Sequence, residues 1–186
     1  MTWPNCIASR GVTAPCAAGS ATAPIAAVKS AALRIGGIVN STARAEQLGD
    51  HRWRDLLDVH HATVRRELAR SRGNEVKSLG DGFLATFDGP ARAVRCACSI
   101  AAAVTPLGIQ VRCGLHTGEI EKVDSDVQGI AVHIASRITA LAGPGEIMVS
   151  RTVKDLVAGS GLHFSERGKH PLKGLQEPMD VYAVSN

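Results

Sequence analysis

Two short runs of strand-forming residues flank a Gly-Asp-Gly triplet near the middle of the sequence, and they restrict the fold more than any other feature. Residues 75–79 read Glu-Val-Lys-Ser-Leu and residues 83–87 read Phe-Leu-Ala-Thr-Phe, with Gly80, Asp81 and Gly82 between them. Because glycines permit the backbone of a tight turn, we predict a β-hairpin whose tip carries a carboxylate. A hairpin implies antiparallel pairing, so the sheet that contains these strands is at least partly antiparallel.

Helical and strand patterns mix along the rest of the chain without strict alternation. We predict two long helices, one from an N-cap at Ser41 or Thr42 to Gly73 and one from Pro90 to about Val104 with Asp88 as a candidate cap. Shorter helices are predicted over 129–141 and from a Ser150 cap to about residue 157. Further strands are predicted over 31–39, 109–116, 119–123 (paired with the preceding run), 146–149, 162–164 and 180–184. This mixture predicts an α+β fold with helices packed on a sheet.

The chain of 186 residues fits one compact domain with a tail. Residues 1–30 are rich in Ala, Pro, Gly, Ser and Thr and have no hydrophobic period, so we expect a flexible tail there and a folded domain over 31–186. No apolar run approaches the roughly 18 residues that a membrane span requires. The five cysteines are odd in number and lack paired CxxC spacing, which favours a reducing, cytoplasmic location.

The formal charge of +4 makes a nucleic-acid-binding role worth testing. Residues 1–45 hold four basic residues and no acidic ones, so residues 46–186 hold 17 of each sign. The folded part therefore has no net positive charge that would attract a polyanion. The six aromatic residues are scattered, which also argues against a stacking platform for single strands. We expect no nucleic-acid partner.

Two segments carry residue types that suit chemistry. Lys77 and Asp81 lie on the two sides of the predicted turn, where a carboxylate has room for a hard cation and an ammonium suits a phosphate. His133 and Arg137 are four residues apart and so share a helical face, with Asp126 in the loop before them. Each segment alone is also compatible with an ordinary turn and a half-exposed helix face. Four other histidines form no metal-like group with carboxylates and are interpreted as helix-surface or strand residues: His51, His60, His61 and His116.

In combination, these segments resemble the class III nucleotidyl cyclase catalytic domain, of the bacterial adenylate cyclase type. The resemblance extends from about residue 35 to 184 in consistent order. It is carried by Lys-x-x-Gly-Asp-Gly at 77–82, Arg-x-Gly-Leu-His-x-Gly-Glu at 112–119, the stretch 126–138, Gly-Pro-Gly-Glu-Ile-Met-Val-Ser at 143–150 and Leu-Lys-Gly at 172–174. It implies a ferredoxin-like βαβ core with a mixed, partly antiparallel sheet.

The resemblance also implies an activity and a set of partners. The implied reaction converts ATP to cyclic AMP and pyrophosphate at the interface of a head-to-tail homodimer, with two Mg²⁺ or Mn²⁺ ions. By position, Lys77 and Asp126 match the pair that recognises the purine, and Arg137 matches the arginine that stabilises the transition state. Lys173 matches a lysine that contacts the triphosphate, and Asp81 matches one of two metal-binding aspartates.

Two positions depart from the pattern of the family. Gly37 stands where the second metal-binding aspartate is expected, and glycine has no side chain that could be a ligand. His133 replaces an asparagine that orients the ribose, and a neutral imidazole still donates one hydrogen bond. We therefore expect an adenylate cyclase of reduced activity. The alternative from the same residues is a catalytically silent cyclase-like module that dimerises or binds nucleotide.

Overall fold

The computed structural model describes residues 27–123 and 126–185, and the following bounds refer to these residues. There are four α-helices: α1 (Ser41–Arg70), α2 (Pro90–Val104), α3 (Ile130–Leu141) and α4 (Arg151–Leu156). A kink interrupts α1 at Gly49, whose φ of 74° and ψ of 161° are not helical. There are eight strands: β1 (Ala27–Ile38), β2 (Asn74–Leu79), β3 (Gly82–Phe87), β4 (Val111–Val123), β5 (Asp126–Gln128), β6 (Ile147–Ser150), β7 (His163–His170) and β8 (Met179–Ser185). A short 3-10 helix follows α2 at Thr105–Leu107. None of the described helices combines the length and apolarity needed to cross a membrane.

The eight strands form one mixed sheet, which confirms the predicted α+β class. The strand order is β2-β3-β1-β4-β6-β8-β7, and β5 pairs with β4 outside this path. The β4–β6 pair is parallel and the other pairs are antiparallel. The predicted β2–β3 hairpin is confirmed, and β3 also pairs with β1, which places the hairpin turn at the end of β1.

The hydrophobic core lies on both faces of the sheet. Alternate residues of β1 and β4, such as Leu33, Ile35 and Cys113, pack with α1, α2 and α4 in the larger cluster. On the opposite face, α3 packs through Ile134 and Ile138 against residues of β6 and β8. Because successive side chains of a strand point to opposite faces, the central strands are buried on both sides.

Several predicted boundaries and pairings are wrong. The runs 109–116 and 119–123 do not pair with each other, because residues 111–123 form the single strand β4. The first strand begins at Ala27, four residues before the predicted onset of the folded domain, while residues 1–26 lie outside the described residues. Asp126 begins β5 instead of lying in a loop. The late strands β7 and β8 are both longer than predicted.

Helix caps divide into one correct and two wrong predictions. The side chain of Ser150 accepts a hydrogen bond from the backbone N–H of Val153, as an N-cap does. At α1 the N-cap is Asn40, in a left-handed conformation and without a side-chain cap bond, instead of Ser41 or Thr42. At α2 the N-cap is Gly89, and Asp88 pairs instead with the Arg92 guanidinium.

Candidate active site

The end of β1 meets the tip of the β2–β3 hairpin. In the antiparallel register, Ile35 lies opposite Phe83, so Gly37 comes beside Asp81. A Cβ atom at position 37 would overlap both carboxylate oxygens of Asp81. The same carboxylate accepts a hydrogen bond of 2.7 Å from the backbone N–H of Ile38. The Asp81 carboxylate therefore lies in the space that a side chain at position 37 would require.

Two adjacent histidines of α1 form hydrogen bonds to the backbone of the hairpin turn. His60 Nε2 lies 3.0 Å from the carbonyl oxygen of Asp81, and His61 Nε2 lies 2.9 Å from the carbonyl oxygen of Gly80. A carbonyl only accepts, so both Nε2 atoms carry protons. His60 is completely buried, and burial lowers its pKa. Its interpretation as a surface residue is therefore wrong, and its pairing with the turn had no signal in the sequence.

A cavity of about 320 Å³ opens beside Gly37. Its lining includes Asp81, Arg34 of β1, Arg112 of β4 and Ser136 of α3. Burial lowers the pKa of Arg34, an effect that the negative charge of Asp81 partly opposes. Arg112 Nε is buried and has no hydrogen-bond partner among the described residues. Sequence reasoning assigned no role to either arginine.

Lys77 and Asp126 form an ion pair. Although they are 49 positions apart, Lys77 Nζ donates a hydrogen bond of 2.6 Å to Asp126 Oδ2. The side chains are 41% and 43% exposed, so each remains accessible to a ligand. The hydrogen bond from Lys77, together with one from the backbone N–H of Val127, lowers the pKa of Asp126. The pair therefore presents an ammonium and a carboxylate at one accessible point.

The remaining predicted site residues lie elsewhere on the protomer. Arg137 of α3 lies beside the 172–174 loop, since a Cβ at Gly174 would be 3.5 Å from Arg137 Nη1. That Nη1 atom is buried and has no hydrogen-bond partner among the described residues. Lys173 and His133 are exposed. The predicted site residues thus form separate groups. Lys77 contacts Asp126, Gly37 lies beside Asp81, and Arg137 lies beside the loop that contains Lys173.

The side chains beside Gly37 do not fit a pair of divalent ions. Mg²⁺ and Mn²⁺ prefer carboxylate oxygens, and Asp81 is the one carboxylate that lines the cavity. Glu46 and Asp50, the nearest acidic residues downstream of β1, are exposed on α1. Across residues 27–123 and 126–185, no three His, Cys, Asp or Glu side chains cluster as a metal site.

Comparison with solved structures shows the fold. The adenylyl cyclase CyaB from P. aeruginosa superposes with a TM-score of 0.78 at 20% identity, covering 85% of this chain and 94% of that one. The guanylyl cyclase Cya2 also superposes with a TM-score of 0.78, at 22% identity, covering 87% and 94%. These likenesses show that the protein has the fold of these two cyclase structures. They do not distinguish the two purines, because the scores are equal.

Comparison of sequences shows the family. A sequence model of the Adenylate and Guanylate cyclase catalytic domain matches residues 27–186, so the chain belongs to this family. A curated relative is the putative adenylate cyclase 3 of Rhizobium meliloti, which is 29% identical over 147 residues. The match covers 72% of this chain but 23% of that relative. This chain therefore spans about a quarter of the relative's length.

Proposed function

We propose that the protein is an adenylate cyclase that converts ATP to cyclic AMP and pyrophosphate at a homodimer interface, with low turnover. The observation that supports ATP as the substrate is the Lys77–Asp126 pair. Adenine offers an acceptor at N1 and a donor at N6, and an ammonium beside a carboxylate complements both. On nucleotide binding, the two side chains exchange their mutual bond for bonds to the base.

The chemical step is an attack of the ribose 3′-oxygen on the α-phosphorus. The 3′-hydroxyl gives its proton to water, the new O–P bond closes the ring, and pyrophosphate leaves with the electrons of the broken P–O bond and takes up a proton from solvent. Arg137 supplies a fixed fork of donors for the charge that develops on the α-phosphate. Its buried, unpartnered Nη1 supports this role, because an anionic oxygen would satisfy it. His133 orients the ribose, and Lys173 contacts the triphosphate.

In a symmetric dimer, site residues that lie apart in one protomer can meet at the interface. The cavity beside Gly37 is lined by Asp81 but not by Lys77, Asp126 or Arg137. In the proposed dimer, Asp81, Lys77 and Asp126 of one protomer face Arg137 of the other. Each dimer then contains two equivalent sites.

Low turnover follows from Gly37. Loss of a residue that merely supports a metal ligand costs about 10- to 100-fold in metal affinity or activity, and loss of a ligand costs more. A reduction of about a thousandfold corresponds to about 4 kcal/mol of transition-state stabilisation. We therefore expect activity far below that of a cyclase with both carboxylates.

The direct test measures cyclic AMP after incubation of the purified full chain with ATP and Mn²⁺. Gly37→Asp adds the missing carboxylate and is expected to raise the rate at least about tenfold. Gly37→Ala is the matched control, because its methyl group also displaces the Asp81 carboxylate but supplies no ligand. No product from the parent at high enzyme concentration would refute the activity. Equal rates for the two variants would refute the metal explanation.

A mixing experiment tests the shared site. A chain with both Gly37→Asp and Arg137→Ala has the carboxylate but lacks the arginine, whereas the parent chain has the reverse. Mixing the two is expected to form one competent site per heterodimer and to exceed the activity of either homodimer. Equal activity in all three preparations would contradict a site shared between protomers.

A catalytically silent nucleotide-binding module is the second candidate. The position of the Asp81 carboxylate over Gly37 favours it, since this carboxylate is bonded to the backbone of β1. This candidate predicts ATP binding without cyclic AMP formation by the parent. Detectable turnover that is lost in Arg137→Ala would eliminate it.

A further inference from the structure

The cavity beside Gly37 has an unusual charge for a site expected to hold cations. Its charged lining consists of two guanidinium groups, on Arg34 and Arg112, and one carboxylate, on Asp81. The net charge of this lining is therefore positive. With an aspartate at position 37 it would be neutral. The same glycine that removes a metal ligand thus leaves a cavity suited to an anion.

The two arginines are partly buried, and Asp81 is the one carboxylate that shares their cavity. Arg112 Nε is buried and unpartnered among the described residues. Arg34 is partly buried, and its backbone carbonyl accepts a hydrogen bond of 3.3 Å from Thr139, which fixes the strand to α3. Within the described residues, neither guanidinium lies within salt-bridge distance of a carboxylate. Two partly buried positive charges that share one carboxylate favour a ligand of the opposite charge, so this arrangement suits an anion.

The ligand class follows from geometry. Guanidinium groups bind phosphate oxygens through paired N–H donors. A volume of about 320 Å³ accommodates phosphate groups, and the cavity also borders Asn40, the N-cap of α1, and Ser41, its first residue. The positive end of this helix favours negative charge. Arginine charge, helix end and volume all suit a polyphosphate.

We propose that Arg34 and Arg112 bind the polyphosphate of a nucleotide in this cavity and replace the charge of a pair of divalent ions. The inference rests on the nucleotide site of the proposed function and adds that binding does not require metal. Gly37 is part of this arrangement, because a carboxylate at that position would repel the same phosphate.

Calorimetric titration of the full chain tests the proposal. ATP, inorganic tripolyphosphate and adenosine are titrated separately, first in EDTA and then in excess Mg²⁺. We expect ATP and tripolyphosphate to bind in EDTA at least as tightly as in Mg²⁺, and adenosine to bind much more weakly. Binding of ATP only in Mg²⁺ would overturn the proposal. Equal binding of adenosine and ATP in EDTA would also overturn it.

Charge variants locate the site. Arg34→Gln and Arg112→Gln are each expected to weaken ATP binding in EDTA by about 10- to 100-fold, because each removes charged hydrogen bonds. Arg52→Gln removes the same charge from an exposed position of α1 and is expected to have no effect. Arg34→Lys and Arg112→Lys keep the charge and are expected to retain part of the affinity, which distinguishes a lost contact from a lost fold. Equal affinities for Arg34→Gln, Arg112→Gln and Arg52→Gln would refute the site.

Two further measurements separate this proposal from the proposed cyclase activity. Gly37→Asp is expected to weaken ATP binding in EDTA and to make binding dependent on Mg²⁺. Metal-free ATP binding without cyclic AMP would leave the arginine site intact and refute the activity. Cyclic AMP formation by a parent chain that binds no ATP in EDTA would support the activity and refute the arginine site.

Discussion

His116 gives the protein a pH-dependent stability whose size follows from its environment. The side chain lies on β4 and is 7% exposed, with Nδ1 2.8 Å from the hydroxyl oxygen of Ser150. Burial lowers the pKa of His116 from 6.5 to about 4. The unfolded chain therefore binds a proton at this residue before the folded chain does. Stability is present above pH 6.5 and is lost as the pH falls towards 4.

The magnitude comes from this difference. A shift of about 2.5 pKa units at about 1.4 kcal/mol per unit gives about 3 kcal/mol in total. Between pH 7 and pH 5 the expected loss is about 2 kcal/mol, because most but not all of that range is crossed. For a domain of this size, such a loss lowers the melting temperature by about 4 to 8 °C.

Urea unfolding followed by circular dichroism at several pH values measures the effect. His116→Asn removes the titrating ring and keeps a polar group near Ser150, so its free energy of unfolding should fall about 2 kcal/mol less than that of the parent between pH 7 and pH 5. A fixed cost of the substitution cancels in this difference. His163→Asn, at an exposed position of β7, is the control and should follow the parent. The reasoning is refuted if His116→Asn and the parent lose the same stability over this range.

Two further predictions concern the purine pair and the hairpin. Guanine presents donors at N1 and N2 and an acceptor at O6, so the double exchange Lys77→Glu with Asp126→Lys should shift the ratio of GTP to ATP affinity at least about tenfold towards GTP. Competition with a fluorescent nucleotide measures this, and an unchanged preference for ATP would contradict the assignment. His60→Leu removes the donor to the part-buried Asp81 carbonyl and should cost about 1 to 3 kcal/mol, whereas His60→Gln should retain part of this stability. Equal losses in urea unfolding would show that the hydrogen bond contributes nothing.

Local patterns predicted most elements of the fold. The apolar spacing of α1 and α2, the triplet at Gly80–Gly82 and the Ser150 cap each depend on residues close in sequence. These elements are confirmed, except that α1 is interrupted by a kink at Gly49 that was not predicted. The division of β4 into two paired runs was wrong. Gly114 and Gly118 interrupt that strand's pattern because α3 lies against them, with Thr139 beside Gly114 and Ala131 beside Gly118. Such a close approach leaves no periodic signal.

The residues of the candidate site also differ in whether the sequence predicted them. The resemblance to cyclases identified Lys77 and Asp126, and it also identified Gly37 as the position that lacks the expected carboxylate. Neither indicated that His60 is buried beneath the hairpin turn, since a histidine in a helix carries no information on which loop covers it.

The sequence by itself determined the family, the order of helices and strands, and the absence of a carboxylate at Gly37, because these depend on residue identity and local spacing. Only the tertiary structure decided what surrounds that glycine. The pairing of β1 with both β3 and β4 brings Arg34, Asp81 and Arg112 to one cavity, although they are far apart along the chain. Strand pairing is a long-range choice made by packing the whole core, so the charge of the cavity is a property of the fold.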